Sequence, residues 1–266
     1  MQTHISFWSF IVLICACGLR APGEPIPARY PQGTIHGFLE LLSNEGRVLA
    51  SGELIQVAHG DQITARTLFR FKDGSIDEET TVFSQRRNFR VISNHHIQKG
   101  PFFPHPVDML IDCRKNEVTV RSAGKNGKEE MNTNHFDLPP DLANGMVPVI
   151  VENISADAPQ TTVSMLVATP KPRLVKLVIS HHGDDPFSVA GASNRGAHFE
   201  IKIDLGGVAS VVAPLVGKQP PDIQLWIIGG DAPTFIREQG PLYPEGPVVN
   251  IQLASPVWSD SPQRSK

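Results

Sequence analysis

From residue 34 onward, apolar and polar positions alternate in short runs bounded by turn residues, the pattern of antiparallel strands in a meander. The runs fall at 34–42, 47–58, 62–72, 75–85, 88–98, 107–113, 117–123 and 128–136, parted by stretches such as Ser43-Asn44-Glu45-Gly46 and His59-Gly60-Asp61. The strongest local signal is Asp73-Gly74, which predicts a tight two-residue hairpin turn. That turn pairs Lys72 with Ser75, Phe71 with Ile76, Arg70 with Asp77, Phe69 with Glu78 and Ala65 with Val82. One face then carries Ile63, Ala65, Phe69, Phe71, Ile76 and Val82, and the other Arg66, Arg70, Asp77 and Glu79. Such a sheet buries one side only.

The stretch 138–153 (LPPDLANGMVPVIVEN) breaks this period and spaces Leu142, Met146, Val149 and Ile150 as on a helix, with Asp141 as its cap. Gly145 and Pro148 weaken it, so a short or irregular helix held by tertiary packing is expected, plugging the core. Strand-like runs resume at 161–169, 173–180, 198–205, 223–228, 234–237 and 248–253, with a Gly/Asn-rich turn expected at 191–196. In the run 198–205, Phe199, Ile201, Ile203 and Leu205 oppose Glu200, Lys202 and Asp204. The apolar run 208–216 fits either a strand or a buried helical turn. No composition shift marks a second domain, so the reading is one β-rich domain over 34–258 and a disordered tail over 259–266.

Before this domain lies an apolar run, 5–17 (ISFWSFIVLICAC), of signal-peptide length, followed by a Pro-rich linker over 22–33. Residues 1–21 therefore read as an export segment, and the domain as a periplasmic or cell-envelope one. Ile14-Cys15-Ala16-Cys17 resembles a bacterial lipobox, in which lipidation of Cys17 would tether the domain to a membrane; ordinary cleavage after Gly18 or Ala21 is the alternative. On either route Cys113 is the one thiol left in the folded domain, without a disulfide partner.

Composition narrows the function. Hydrophobic residues make up 40% of the 266, enough for a packed core, and 22 Gly with 23 Pro rule out an all-helical bundle. With 24 basic against 27 acidic side chains and no basic stripe, the footprint of nucleic-acid binding is missing. No Gly-x-Ser-x-Gly elbow, phosphate loop, dinucleotide fingerprint or zinc signature occurs, so neither a metal nor another cofactor is expected, nor an enzyme. The histidine clusters His95-His96 with His105, and His181-His182 with Asp184 and Asp185, would support a metal only if three ligands converged. Neighbours on a strand point to opposite faces, and His95 is assigned to the face of Phe89, Val91 and Ile97. Cys113 ends an apolar run, where a buried thiol is inert. Asn153-Ile154-Ser155 is a glycosylation sequon read as a chance match.

Two loops share a design. Gln98-Lys99-Gly100-Pro101-Phe102-Phe103-Pro104 and Gln239-Gly240-Pro241-Leu242-Tyr243-Pro244 each hold an apolar or aromatic pair between prolines. Phe102, Phe103 and Tyr243 either rim a pocket or fold down onto the core as strand connectors.

The apolar leader, the long meander, the Leu138-Pro139-Pro140-Asp141 break into a short helix, and the renewed strands to residue 253 together resemble bacterial envelope half-barrels: the lipoprotein-localisation carriers and related periplasmic domains of unknown function. The likeness is one of layout, and the region 183–217 has no counterpart. It implies a mainly β fold, a single antiparallel, strongly curved sheet forming a half-barrel or open barrel with one or two short helices. It also implies an apolar cavity on the concave side, lined by Phe69, Phe71, Glu78, Val82, Phe89 and Met146, that takes a lipid or other amphipathic ligand. Glu78 is there either a polar anchor or a wetted rim position. The competing function is an envelope structural or protein-interaction module without a small-molecule ligand.

Overall fold

The computed structural model describes residues 23–123, 129–155, 157–169, 171–189, 192–206 and 220–254. The leader with Cys17, the run 208–216 and the tail 259–266 lie outside them. Strands β1 (Ile35–Ser43), β2 (Val48–His59), β3 (Gln62–Phe71), β4 (Ile76–Ser84), β5 (Arg90–Lys99), β6 (Val107–Asp112), β7 (Glu117–Ala123) and β8 (Glu129–His135) precede helix α1 (Val147–Asn153). After it come β9 (Thr161–Val167), β10 (Arg173–Val189), β11 (Ala192–Asp204), β12 (Ile223–Ile228), β13 (Thr234–Pro241) and β14 (Val248–Leu253).

All belong to one antiparallel 14-stranded sheet in the order β8 to β1, then β14 back to β9. Its centre is the pairing of β1 with β14, Leu41 opposite Ile251. Two meanders run outward from there and end at the edges β8 and β9, which the sheet does not join. The sheet nonetheless curls. Gln98 on β5 and Leu242 beyond β13 are separated by six strand steps, about 29 Å along a flat sheet, yet the Gln98 side-chain amide donates to the Leu242 carbonyl at 2.9 Å.

The segment joining the two edges crosses the concave side and fills it. Leu142, Ala143, Met146, Ile150 and Val151 are buried against Ile63, Phe83, Phe89, Met109 and Val118 of one arm and Val163, Leu177, Ile201 and Leu225 of the other. Pro148 stands in the first turn of α1, where its missing N–H has no helical partner to lose. Asp141 does not cap this helix. Its fully buried carboxylate meets Lys176 Nζ at 3.1 Å and accepts from the Ser164 hydroxyl at 2.9 Å, while Met146 stands at the N-cap without a side-chain bond.

Three local expectations need correction. The Asp73-Gly74 turn is longer than two residues: Phe71 N–H donates to the Ser75 carbonyl, Gly74 N–H to that of Phe71, and Gly74 alone takes a positive φ, +87°. This is the turn followed by a left-handed glycine of a wider hairpin, with Asp73 Oδ1 accepting from Ser75 N–H. Every partner on β4 shifts by one, so Phe69 faces Asp77, Leu68 faces Glu78 and Thr64 faces Val82. Second, the ladder between β4 and β5 skips Ile92, pairing Phe83 with Val91 and Val82 with Ser93. This bulge turns His95 to the outer face and His96 inward, away from the assignment with Phe89 and Val91. Third, 192–196 is not a turn but the start of β11, paired with the outer half of β10 past a register shift at Gly183, which takes φ +97°.

The Pro-rich stretch read as a linker is strapped to the domain over 23–33. Ala28 N–H donates to the Arg87 carbonyl and Phe89 N–H to that of Ile26. Tyr30 N–H donates to Asn153 Oδ1 at 2.7 Å, and Gln32 exchanges bonds with Gln85 at 2.6 and 3.1 Å.

Candidate functional site

At one end of the curled sheet the two Pro-bounded loops meet. The Gln98 to Leu242 bond ties them together, and Ser75 Oγ accepts the Phe102 N–H at 2.8 Å, seating the first loop on the hairpin turn. Ring centroids of Phe71 and Phe102 lie 4.5 Å apart, Phe103 and Tyr243 5.7 Å, and Phe102 and Tyr243 6.2 Å. Edge-on and tilted pairs at such spacings add to the burial of their area. Phe103 is 3% exposed and belongs, with Phe69, Phe71, Leu39, Leu41 and Val249, to a second core under the mouth. Phe102 instead walls an open hollow of about 530 Å³ together with Arg47, Val48, Leu49, Phe71, Lys72 and Asp73. Its lining joins four apolar side chains to two cations and one carboxylate. Another hollow, about 240 Å³, lies by Arg90, Cys113, Pro139 and Leu142.

The larger hollow lies outside the concave interior where an acyl chain was expected, and the smaller one only touches the margin of the main core, at Val91 and Leu142. Phe89 and Met146 are packed in the main core there. Glu78 and Val82 face the other way, because the hairpin slip moves them to the outer side. Glu78 Oε1 there accepts from Arg66 Nε at 2.6 Å with both side chains partly solvated, so its carboxylate is paired and wet, not an anchor in a cavity.

The same slip brings an unforeseen set of polar groups inside. Asp77, Glu79 and Thr81 of β4 stand opposite Gln98, His96 and Asn94 of β5 on the inner face. Asn94, fully buried, donates to Glu79 and Thr81 at 2.8 Å each, and its Oδ1 has no partner. His96 Nε2 lies 2.8 Å from Asp77 Oδ1. Burial alone would lower the His96 pKa, but the Asp77 bond and the Glu79 and Asp77 charges outweigh it and raise it to about 9. Glu238 of β13, opposite buried Leu225, faces the same interior. Half-buried as a residue, its carboxyl group is turned into the protein, and burial, reinforced by the Glu79 charge, pushes it up to about 7. Glu152 of α1 is likewise raised to about 7 by burial, although Phe235 N–H and Gln32 donate to it.

The seam has a tight lid. Gly145 takes φ +65° just before α1, and a Cβ there would collide with Thr81 Oγ1 and press on Asn94 Nδ2. A face assignment from the Phe71/Ser75 pairing, testing both possible hairpin lengths, would have exposed these residues; the preference for an uncharged inner face hid them.

The histidine clusters do not converge. His95 pairs with Asp108 at 2.9 Å, His181 with Asp184 at 3.7 Å and His182 with Glu200 at 3.4 Å, while His198 stacks on Trp226 at 4.6 Å. Among the described residues no group of three or more His, Cys, Asp or Glu side chains could hold a metal ion. Burial and the Asp112 charge push the Cys113 thiol up to about 11, far from a thiolate at neutral pH. Asn153 of the sequon is 1% exposed and bonded to Tyr30 and to the Val149 carbonyl, out of reach of modification in the folded chain. No helix among the described residues is long and apolar enough to cross a membrane.

No family model matches the chain, and no curated protein does. Among solved structures, it is similar to the crystal structure of a beta-barrel-like protein of a domain of unknown function from Brucella abortus, at 9% identity and a TM-score of 0.45, over 89% of this chain and 100% of that one.

Proposed function

We propose that this is an exported, non-enzymatic protein of the cell envelope that binds an amphipathic anion at the aromatic mouth of its curled sheet, not in the concave interior. The apolar leader 5–17 and the layout shared with envelope half-barrels support the location. The observation that carries the binding reading is the hollow of about 530 Å³, within the usual size of small-molecule sites. Leu49, Phe71 and Phe102 would take the acyl or aromatic body of the ligand. Arg47 and Lys72 would meet its charged head; Glu45 approaches Arg47 only to 3.9 Å, and Asp73 is engaged in its own turn.

Calorimetric titration of the purified chain with dodecanoate, kept below its micelle concentration, tests this. Saturable 1:1 binding is expected, weakened about tenfold by Phe102→Ala and by Lys72→Ala, with dodecanol binding less well than the carboxylate. Binding that ignores both substitutions, or none at all, would overturn it. The filled interior favours as a second reading the interaction module without a small ligand, which the absence of binding would leave standing.

A further inference from the structure

The two edges of the sheet are treated differently. Along β9 the crossing segment closes the edge: Ala143 N–H donates to the Ser164 carbonyl at 2.8 Å and Ser164 N–H to that of Asp141 at 3.1 Å. Beyond them the Asn144 side chain mimics a strand, accepting from Leu166 N–H and donating to its carbonyl, both at 2.9 Å.

The opposite edge has no such cover among the described residues. Phe136 N–H donates inward to the Asn116 carbonyl. By alternation the backbone groups of Asn134 and Asn132 also turn to β7, and those of His135, Thr133 and Met131 turn out. Residues 130–135 are all exposed, Met131 at 65%. The strand carries no proline, lysine or bulge, and of the usual defences of an open edge it has only the two glutamates at its start.

We propose that β8 is a self-association edge, joining a second copy of this chain in antiparallel register about a twofold axis through Asn132. This is the register that pairs all of β8 with itself. It sets Met131 opposite Thr133 of the second copy, so that outward-turned groups exchange both hydrogen bonds, and it sets Asn132 opposite its own copy at a non-hydrogen-bonded position. Glu130 comes opposite Asn134, and the acidic start of one strand runs beside His135 at the end of the other. Moving the axis to Glu130 would place that acid against its own copy, which is disfavoured, and moving it to Thr133 would leave the first two residues of β8 without a partner in β8. The join is isologous and closes at two copies, making about eight ladder bonds.

Sedimentation of the full chain, with disulfide trapping, tests the proposal. A dimer is expected. Asn132→Cys should give a covalent dimer on mild oxidation, with the cross-link mapped by mass spectrometry to position 132 in both chains, since facing thiols on a non-hydrogen-bonded pair meet disulfide geometry. Asn134→Cys, which sits opposite Glu130, should not. Thr133→Pro removes an outward N–H and leaves the backbone bonds to β7 in place, losing only the exposed hydroxyl bond to Thr119, so it should weaken dimerisation about tenfold while leaving the thermal midpoint within a few degrees. A chain that stays monomeric into the millimolar range, equal trapping at 132 and 134, or a dimer indifferent to Thr133→Pro would each overturn it. Capture of an extended foreign peptide by a chain that remains monomeric would do so too.

Discussion

At the scale of single residues, the interior is governed by groups that a binary reading of polarity would send outside. Gly145 is fixed by its left-handed backbone and by contact with Thr81 and Asn94. Gly145→Ala should therefore lower unfolding free energy by about 2–4 kcal/mol in denaturant titration, combining backbone strain with overpacking. Glu238 gives a pH signature. Its folded pKa of about 7 exceeds the ordinary carboxylate value of 4.5, so between those limits the folded state holds a proton the unfolded state has lost. Stability then declines as pH rises towards 7 and stays lowered above it. His96, raised from 6.5 to about 9, acts with the same sign in a later window: its contribution is full below 6.5 and lost as pH passes 9. Thermal midpoints should fall from pH 5 to pH 9. Glu238→Gln should be nearly neutral at pH 5 and stabilising by something of order 2 kcal/mol at pH 8. A variant that tracks the native protein at both pH values would show that Glu238 is solvated. Glu78 makes the contrast: on the outer face beside Arg66, its change to Gln should alter stability by no more than about 1 kcal/mol.

At the scale of elements, alternation alone marks the strands, because a half-buried ladder must alternate. The runs 117–123, 223–228 and 248–253 coincide with β7, β12 and β14. What alternation leaves undetermined is phase. A hairpin loop longer by one residue after Phe71 and a bulge at Ile92 each exchange the two faces, and both arise from backbone choices that side-chain polarity does not report. Hence Glu78 and His95 exchanged faces with Glu79 and His96. The helical spacing of Leu142, Met146 and Ile150 pointed to the buried plug, yet Asp141 serves a different element. Its contact with Lys176 and Ser164 pins the crossing segment to the β9 edge. Lys176→Met should cost about 3–5 kcal/mol by leaving that carboxylate buried without its cation, and Asp141→Asn added to it should restore part of the loss. Unfolding curves of the two variants check this.

At the scale of the whole molecule, one sheet closes most of the way round a plug made from the chain that links its own edges. Strand order makes the connection one between the two edges, since the meanders begin at the neighbouring strands β1 and β14 and end at β8 and β9, and its burial against both arms puts it on the concave side. Filling it with Met146 and Ile150 leaves the mouth, where half-buried Phe102 lies over buried Phe71 beside Arg47 and Lys72, as the place for an amphipathic guest. The loops at 98–104 and 239–244 were recognisable as a matched pair because both are stiffened by proline. Their meeting across the barrel depends on curvature, which no local pattern encodes. The most direct test is crystallographic: the chain crystallised with 12-bromododecanoate and the bromine located by its anomalous signal. The carboxylate is expected beside Arg47 and Lys72, with the brominated chain over Phe71 and Phe102. Bromine beside α1 within the sheet would contradict the account.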